Sequence, residues 1–405
     1  MLPLAPRIPP LLRLANHVGG ALRRLVPSVG GLDPDSLVRA ATRRTGLTDF
    51  GPDDAWREAL QVYTASLQTD AHLHFFGRIH LRDVVIRTLV DRLLLQKARP
   101  TLPPLERAPL VVCGLPRSGT TFLHRMLSEP EDTRALPLWE LMEPIPGPGA
   151  DHRLARARRR LARLRTLTPM DLDAIHLIRA ELPDECSYLL KSSFRSAMLW
   201  QAPAIGWLDW HLSQPATDAY QQWRDWIRLL SAPGKRLVLK DPFHVAHLPE
   251  LFAAVPNAMV VRTHRDPLET LPSYHKLCLN MHAVLCDPLD APAIVEANTR
   301  WQVALANAAV NPGAGVPAAR VLDIDYRQLV ADPVGTMRHI HGHFGLEWDA
   351  SLAACMAAYV HDNGQRKFGE NAYTIGDFGQ SEADLRRRFA PYREAFRLGR
   401  DAAAS

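Results

Sequence analysis

Short apolar runs alternate with helix-like patterns through the middle of the chain. The runs cover residues 110–113, 236–240, 258–263 and 319–325, and each has the length of a buried parallel strand. Apolar residues at helical spacing follow the first run, and helix-capping signals follow the last two. Strands that alternate with helices predict an α/β fold, with a central, mainly parallel sheet and helices on both of its faces.

The first hundred residues carry helical signals of their own. Aspartates open segments 33–44 and 53–67, and segment 80–97 has apolar residues along one face. Residues 1–30 are expected to form a loosely ordered arm, whose arginines and leucines can either contact a membrane surface or pack back as a tail.

Prolines and changes in composition divide the chain into three predicted regions. These are a helical N-terminal region, a core, and a C-terminal loop and helix that complete the core, at residues 1–104, 105–350 and 351–405. The core contains a helical insertion at about 150–232, where seven arginines occupy residues 153–165. This run favours a solvated helix face, and attraction of an acidic substrate or an anionic membrane is the alternative.

The segment GLPRSGTT, residues 114–121, links the first predicted strand to a helix. A strand, a glycine-containing loop and a helix N-terminus together direct backbone amides at an anion. Thr120 stands where a nucleotide P-loop has its lysine, which argues against ordinary use of ATP or GTP. Arg117 supplies a fork of donors for an oxyanion. The predicted anion-binding residues of the loop are Arg117, Ser118, Gly119, Thr120 and Thr121.

Two further basic residues fall at or just after predicted strand ends. Lys240 ends the second run and Arg265 follows the third. Because ligands of a doubly wound sheet bind outside the carboxyl ends of its strands, we expect Arg117, Lys240 and Arg265 to converge on a phosphorylated nucleotide. The third run also leads into a predicted capping box formed by Asp266 and Glu269.

These motifs resemble the sulfotransferase family over roughly residues 105–397. The resemblance is to bacterial members with a helical lead-in and core motifs like those of tyrosylprotein sulfotransferases. It implies a P-loop-like three-layer fold, the co-substrate 3′-phosphoadenosine 5′-phosphosulfate, an acceptor hydroxyl and no metal.

The resemblance also implies roles for individual residues. GLPRSGTT resembles the loop that holds the 5′-phosphosulfate, and Lys240 stands in a segment similar to the one with an active-site lysine. Arg265 and Ser273 resemble the pair that holds the 3′-phosphate, and Tyr326 resembles the tyrosine beside adenine. The basic loop that closes over the 3′-phosphate is matched by Arg366 and Lys367, although Phe368 replaces its usual glycine.

Three residues are candidates for the base that takes the proton of the acceptor hydroxyl. We rank Glu140 first, since a return of the chain after the loop helix would bring it near the strand ends and the resemblance favours a glutamate there. His244 comes second, because the ordinary pKa of a histidine is near neutrality and suits a general base. Glu185 comes third. The alternative for Glu140 is an ion pair with an arginine, and for Glu185 a place in the first turn of a helix that begins at Pro183.

The composition of the chain restricts the classes of ligand and partner that we expect. Apolar residues make up 47% and charged residues 22% of the chain, and no apolar run has the length of a membrane span. The net charge of +5 suits an anionic nucleotide and does not require nucleic acid. Five cysteines without a paired motif predict reduced thiols and a cytoplasmic location. A sugar, lipid, small-molecule or peptide acceptor, peripheral membrane contact and the oligomeric state remain open.

Two other functions compete with sulfuryl transfer. One is a P-loop kinase or NTPase, against which the missing lysine counts. The other is a catalytically idle nucleotide-binding interaction protein, which leaves the three basic residues at strand ends unexplained. The triplets His264-Arg265-Asp266 and Asp377-Phe378-Gly379 match kinase signatures, but Pro267 follows the first and no kinase glycine loop precedes it.

Overall fold

The computed structural model describes residues 10–26, 28–147, 149–167, 178–363 and 373–399. Its centre is a sheet of five parallel strands in the order β2-β3-β1-β4-β5. In chain order, β1 to β5 are Leu110–Gly114, Thr133–Ala135, Arg236–Lys240, Met259–His264 and Val321–Asp325. The sheet confirms the predicted α/β class. The short edge strand β2 lies in a segment to which we had assigned no strand.

The strand register aligns the carboxyl ends on one edge of the sheet. Val112 of β1 lies beside Lys240, and Gly114 lies beside Thr263 of β4. His264 at the end of β4 lies beside Asp325 at the end of β5. The residues that follow these strands therefore meet at one edge, which is where the basic residues were expected.

Helices surround the sheet on both sides. The helices before β1 are Pro10–Leu25, Pro34–Thr45, Ala55–Thr69 and Phe75–Ala98. Those between β1 and β3 are Thr120–Leu127, Leu138–Met142, Arg153–Leu167, Ser187–Leu190, Ile205–Ser213 and Thr217–Leu229. The later helices are Leu248–Ala254, Pro267–Ala283, Ala291–Val310, Tyr326–Ala331, Pro333–Phe344, Ala350–Asp362, Glu382–Arg388 and Ala390–Ala395. Short 3₁₀ helices are Arg99–Thr101, Lys191–Ser193, Ala197–Leu199, Pro242–Ala246, Ala318–Arg320 and Ile375–Phe378.

The N-terminal helices follow their predicted signals, with one exception. Asp33 accepts a hydrogen bond from Ser36 N and caps the helix Pro34–Thr45, as expected. The segment 10–25, predicted as a loose arm, is instead a helix that packs on Phe75–Ala98. Its sequence lacks strong capping residues, so tertiary packing stabilises it where local propensity does not.

One hydrophobic core joins the N-terminal helices, the sheet and the insertion. It contains Trp56 and Leu89 from the N-terminal helices, Val111 of β1 and Val260 of β4. Trp207, Trp223 and Trp226 of the insertion are fully buried in the same cluster. These tryptophans of the insertion therefore belong to the core, while the region boundaries near 104 and 350 stay predictions.

Local capping differs from expectation at two places. Pro183 does not start a helix, because the chain there pairs with Pro137 and the next helix begins at Ser187. Asp184 and Glu185 therefore lie ahead of that helix. Asp266 caps Pro267–Ala283 by accepting from Leu268 N, but no capping box forms because Glu269 turns to Arg265.

Residues 364–372 of the predicted C-terminal loop lie outside the described residues, and the charged segment after it is helical. The charged segment is two helices, Glu382–Arg388 and Ala390–Ala395, because Pro391 lies in the first turn of the second. No helix among the described residues is long and apolar enough to span a membrane.

Candidate active site

The loop after β1 has the backbone conformation of an anion cradle. Gly114 and Gly119 have φ angles of +146° and +91°, and Arg117 adopts φ +69°. A positive φ at a residue with a side chain is uncommon and is found most often at functional sites. Gly119 occupies the N-cap position of the helix Thr120–Leu127 and has no side chain to accept from its first amides. These amides therefore point into the loop.

A hydroxyl pair fixes the loop to the neighbouring strand. Ser118 is fully buried, donates to Leu115 O at 2.6 Å and lies 2.7 Å from the hydroxyl of Thr263 on β4. Thr120 is buried and Thr121 half-buried in the first turn of the helix. Ser118 thus holds the shape of the loop. Thr263, which the sequence had not marked out, is its partner.

Arg117 and Ser273 contact each other across the sheet edge. Arg117 Nε donates to Ser273 Oγ at 3.1 Å, although 156 residues separate the two in sequence. Burial lowers the pKa of Arg117, and the charge of Arg265 acts in the same direction. An anion bound between Arg117 and Arg265 would offset the electrostatic repulsion between their guanidinium groups.

Arg265 lies between the loop and Tyr326. Its Nη1 donates to Arg117 O at 3.4 Å, and its guanidinium carbon lies 4.3 Å from the centre of the Tyr326 ring. Its Nε also donates to Glu269 at 3.0 Å. The Tyr326 ring in turn covers the loop: a Cβ atom at Gly119 would lie 2.8 Å from Tyr326 Cδ2. The structure therefore brings together four of the predicted nucleotide-binding residues.

Lys240, at the end of β3, and Glu185 form a close ion pair. Lys240 Nζ lies 2.7 Å from Glu185 Oε1, and only 1% of the lysine side chain is exposed. A backbone hydrogen bond of 2.8 Å from Cys186 N to Lys240 O holds the two segments together. The charge of Glu185 also acts on Arg117. This carboxylate thus belongs to the same electrostatic cluster as both basic residues.

Asp241, the neighbour of Lys240, is buried beside the pair. Burial raises the pKa of Asp241, and the negative charge of Glu185 raises it further. One carboxyl oxygen accepts from Phe243 N at 3.1 Å. Its other oxygen has no hydrogen-bond partner among the described residues. A protonated Asp241 removes the cost of a second negative charge next to Glu185.

His244 is held in the interior. Its Nδ1 lies 2.6 Å from the hydroxyl of Tyr220 and its Nε2 lies 3.1 Å from Cys186 Sγ. Burial lowers the pKa of His244 to about 3, with the charge of His247 as a smaller cause. Both nitrogens are engaged in a fully buried ring, so the geometry does not favour a proton acceptor for substrate here.

Glu140 lies in a short helix after the edge strand β2. Its carboxylate is 2.6 Å from Arg134 Nη2, and its exposed fraction is 9%. Arg134 also donates to Leu230 O at 3.0 Å, which holds its side chain in place at the edge strand β2. The arginine partnership named as the alternative for Glu140 is thus present. Arg366 and Lys367, the predicted closing loop, lie outside the described residues.

Comparison with known proteins identifies the family. A model of the sulfotransferase family matches residues 109–350. The chain belongs to this family. It is a sulfotransferase, an enzyme that transfers a sulfuryl group, as the motifs implied.

Two solved sulfotransferases resemble the whole chain. The sulfotransferase STF1 of Mycobacterium tuberculosis is 29% identical, with a TM-score of 0.76 over 88% of this chain and 98% of that one. The sulfotransferase STF9 of Mycobacterium avium is 25% identical, with a TM-score of 0.79 over 90% of this chain and 96% of that one. A comparison with curated protein sequences gives no match. Both similarities cover more of this chain than the match to the family model at residues 109–350.

A metal site has no support in the described part of this sulfotransferase. No group of three or more histidine, cysteine or carboxylate side chains could hold an ion there. His341, one of three closely spaced histidines, donates from Nδ1 to Glu347 O at 2.7 Å and packs against Trp348. His341 therefore stabilises the end of the helix Pro333–Phe344 and the loop that follows it.

Proposed function

We propose that this sulfotransferase takes its sulfuryl group from 3′-phosphoadenosine 5′-phosphosulfate and passes it to an acceptor hydroxyl, with Glu185 as the base. The observation that carries the proposal is the meeting of the glycine-containing loop, Arg117, Lys240 and Glu185 at one end of the parallel strands. Basic groups on the donor side and one carboxylate among them suit in-line transfer between two oxygens.

The donor would be held at both of its phosphate ends. The amides at the start of Thr120–Leu127 and the Arg117 guanidinium favour a doubly liganded oxyanion at the loop. Arg265 and Ser273 favour a second phosphate, and the Tyr326 ring offers a face for adenine. Arg117 and Ser273 already share a hydrogen bond, so the two phosphate subsites are coupled through one contact.

The reaction then needs a proton acceptor and stabilisation of the leaving group. The acceptor oxygen forms a bond to sulfur while the bond from sulfur to the bridging phosphate oxygen breaks, and the hydroxyl proton passes to Glu185. Lys240 offsets the charge that develops on the bridging oxygen, which is a contact that strengthens in the transition state. The ion pair holds the Glu185 carboxylate at the end of β3, beside the lysine that contacts the bridging oxygen.

Calorimetry tests the donor assignment. The protein should bind 3′-phosphoadenosine 5′-phosphate without magnesium, and more tightly than ATP or 5′-AMP. A preference for ATP with magnesium would support the P-loop kinase alternative and refute the proposal. Equal affinity for 5′-AMP and the bisphosphate would remove the case for a 3′-phosphate subsite.

The acceptor requires a direct search. Incubation with the ³⁵S-labelled donor and a metabolite extract should label a hydroxyl-bearing product. Donor and extract without the protein are the control for chemical labelling, and the Glu185→Gln variant in the same extract tests the base. Labelling that persists unchanged in this variant would remove Glu185 from the mechanism.

A further inference from the structure

The first helix, Pro10–Leu25, carries an exposed stripe of apolar side chains. Leu14, Val18, Leu22 and Leu25 are 61%, 59%, 45% and 82% exposed. At about 100° per residue, these positions fall within an arc of roughly 80° on the helix surface. A contiguous exposed apolar stripe of this kind marks an interaction surface.

The opposite side of the same helix is fixed to the protein. Leu12 is buried, Gly19 lies directly against Phe75, and Asn16 Oδ1 accepts from Phe76 N at 2.9 Å. These contacts hold the helix on the start of Phe75–Ala98. The apolar stripe therefore faces outward because of the way the helix packs.

Charge indicates what the stripe contacts. Residues 1–32 contain four arginines and no aspartate, glutamate or lysine. Of these arginines, Arg13 and Arg24 are exposed on the helix, and both lie along one border of the stripe at the same 100° spacing. Apolar side chains flanked by arginines are the pattern of a helix that lies in a lipid interface.

We propose that Pro10–Leu25 docks this sulfotransferase on an anionic membrane surface, with Leu14, Val18, Leu22 and Leu25 in the acyl region and the arginines at the headgroups. A second copy of the chain is the less favourable occupant, because two such stripes would bring eight arginines together with no carboxylate from residues 1–32 to offset them. Anionic headgroups supply the opposite charge. The proposal is independent of the donor and base assigned above.

Vesicle flotation with the full chain tests the proposal. Vesicles of phosphatidylcholine with about 30 mol % phosphatidylglycerol should carry the protein upward, and vesicles of phosphatidylcholine alone should not. Raising the salt from about 0.1 M to about 0.5 M should weaken binding, because the arginine contribution is screened. Equal binding to both vesicle types, or binding to neither, would overturn the proposal.

Paired variants locate the surface. Leu14→Ser with Val18→Ser, and separately Arg13→Glu with Arg24→Glu, should each lower partitioning at least about tenfold. The matched apolar control is Leu212→Ser with Val330→Ser, which changes residues that are 37% and 41% exposed elsewhere. The matched charge control is Arg320→Glu with Arg338→Glu, where both residues are exposed and lie outside both arginine-rich segments. Equal loss in the controls would show that the helix has no specific role.

Sedimentation velocity separates a membrane surface from a second copy. The protein should not form a dimer through this helix without lipid. A concentration-dependent dimer that Leu14→Ser with Val18→Ser abolishes would assign the stripe to self-association and overturn the membrane proposal. Circular dichroism of each variant checks folding, and the charge-reversal pair decides the outcome if the serine pair unfolds.

Discussion

Lys240 Nζ lies 2.7 Å from Glu185 Oε1, although the two residues are 55 positions apart in sequence. The contact joins the end of β3 to the segment just before Ser187–Leu190. It places a carboxylate next to the lysine expected to stabilise the leaving group. We therefore rank Glu185 ahead of Glu140 and His244 as the proposed base, which reverses the order drawn from sequence.

Glu185→Gln should lower turnover by roughly 10²–10⁴-fold with the donor still bound, because the amide keeps the shape and removes the base. Steady-state kinetics and calorimetry on the same preparation measure the two quantities. Glu140→Gln is the matched control, and its turnover should stay near normal because Glu140 pairs with Arg134. A large loss in Glu140→Gln with an active Glu185→Gln would restore the original order.

Lys240→Met should reduce turnover more than donor affinity, since its contact strengthens as the bridging oxygen gains charge. The substitution keeps most of the buried aliphatic length, which limits the change in packing. Single-turnover rates compared with calorimetric affinity separate the two effects. Lower affinity with intact turnover would make Lys240 a binding residue only.

Arg265→Ala should weaken binding of 3′-phosphoadenosine 5′-phosphate and leave binding of 5′-AMP nearly unchanged. A lost charge-assisted hydrogen bond costs about 1.5–3 kcal/mol, or roughly ten- to a hundredfold in affinity. Glu269→Gln removes the arginine's carboxylate partner and serves as the control for local disturbance. Equal weakening for both nucleotides would contradict a 3′-phosphate contact.

Gly119→Ala should impair donor binding through the loop and Tyr326. The new methyl group would meet Tyr326 Cδ2 at 2.8 Å, at a φ of +91°. Strain of this type costs on the order of 1–3 kcal/mol. Gly234→Ala is the matched control, because Gly234 also has a positive φ but no atom within 4 Å of the added Cβ. Nucleotide titrations of both variants should show a loss only for the first.

Acid should weaken the ion pairs of Asp323 at the end of β4, the strand that leads to Arg265. Asp323 accepts from Arg262 Nε and His264 Nε2, both at 2.7 Å. Burial by itself would raise the pKa of Asp323, but the hydrogen bonds from His264 and Arg262 outweigh it and lower the pKa to about 2. The stabilisation is therefore fully present above the unfolded pKa of about 3.9 and is lost as pH falls toward 2.

Urea unfolding at several pH values measures this dependence. In Asp323→Asn the free energy of unfolding should be lower at neutral pH and should fall less between pH 4 and pH 2 than in the native chain. Glu347→Gln, a change at an exposed carboxylate, should leave the native profile nearly unchanged. A steeper acid loss in Asp323→Asn would contradict the assigned ion pair.

The sequence alone determined four of the five strands and the anion loop. The runs at β1, β3, β4 and β5 are short, mainly apolar and followed by capping or loop residues, and these local signals specify a parallel strand before any tertiary contact is known. The convergence of the basic residues Arg117, Lys240 and Arg265 followed from the parallel topology, since the carboxyl ends of parallel strands lie on one edge of the sheet. The family resemblance rested on the same local motifs.

The tertiary structure alone decided which charged groups meet. No local pattern shows that Glu185 reaches Lys240 or that Arg117 donates to Ser273. It also decided that the helix Pro10–Leu25 forms, since its packing partner Phe75 lies about fifty residues away in the chain. Local propensity reports on neighbours within one or two turns, whereas ion pairs and helix packing depend on where the fold brings distant segments.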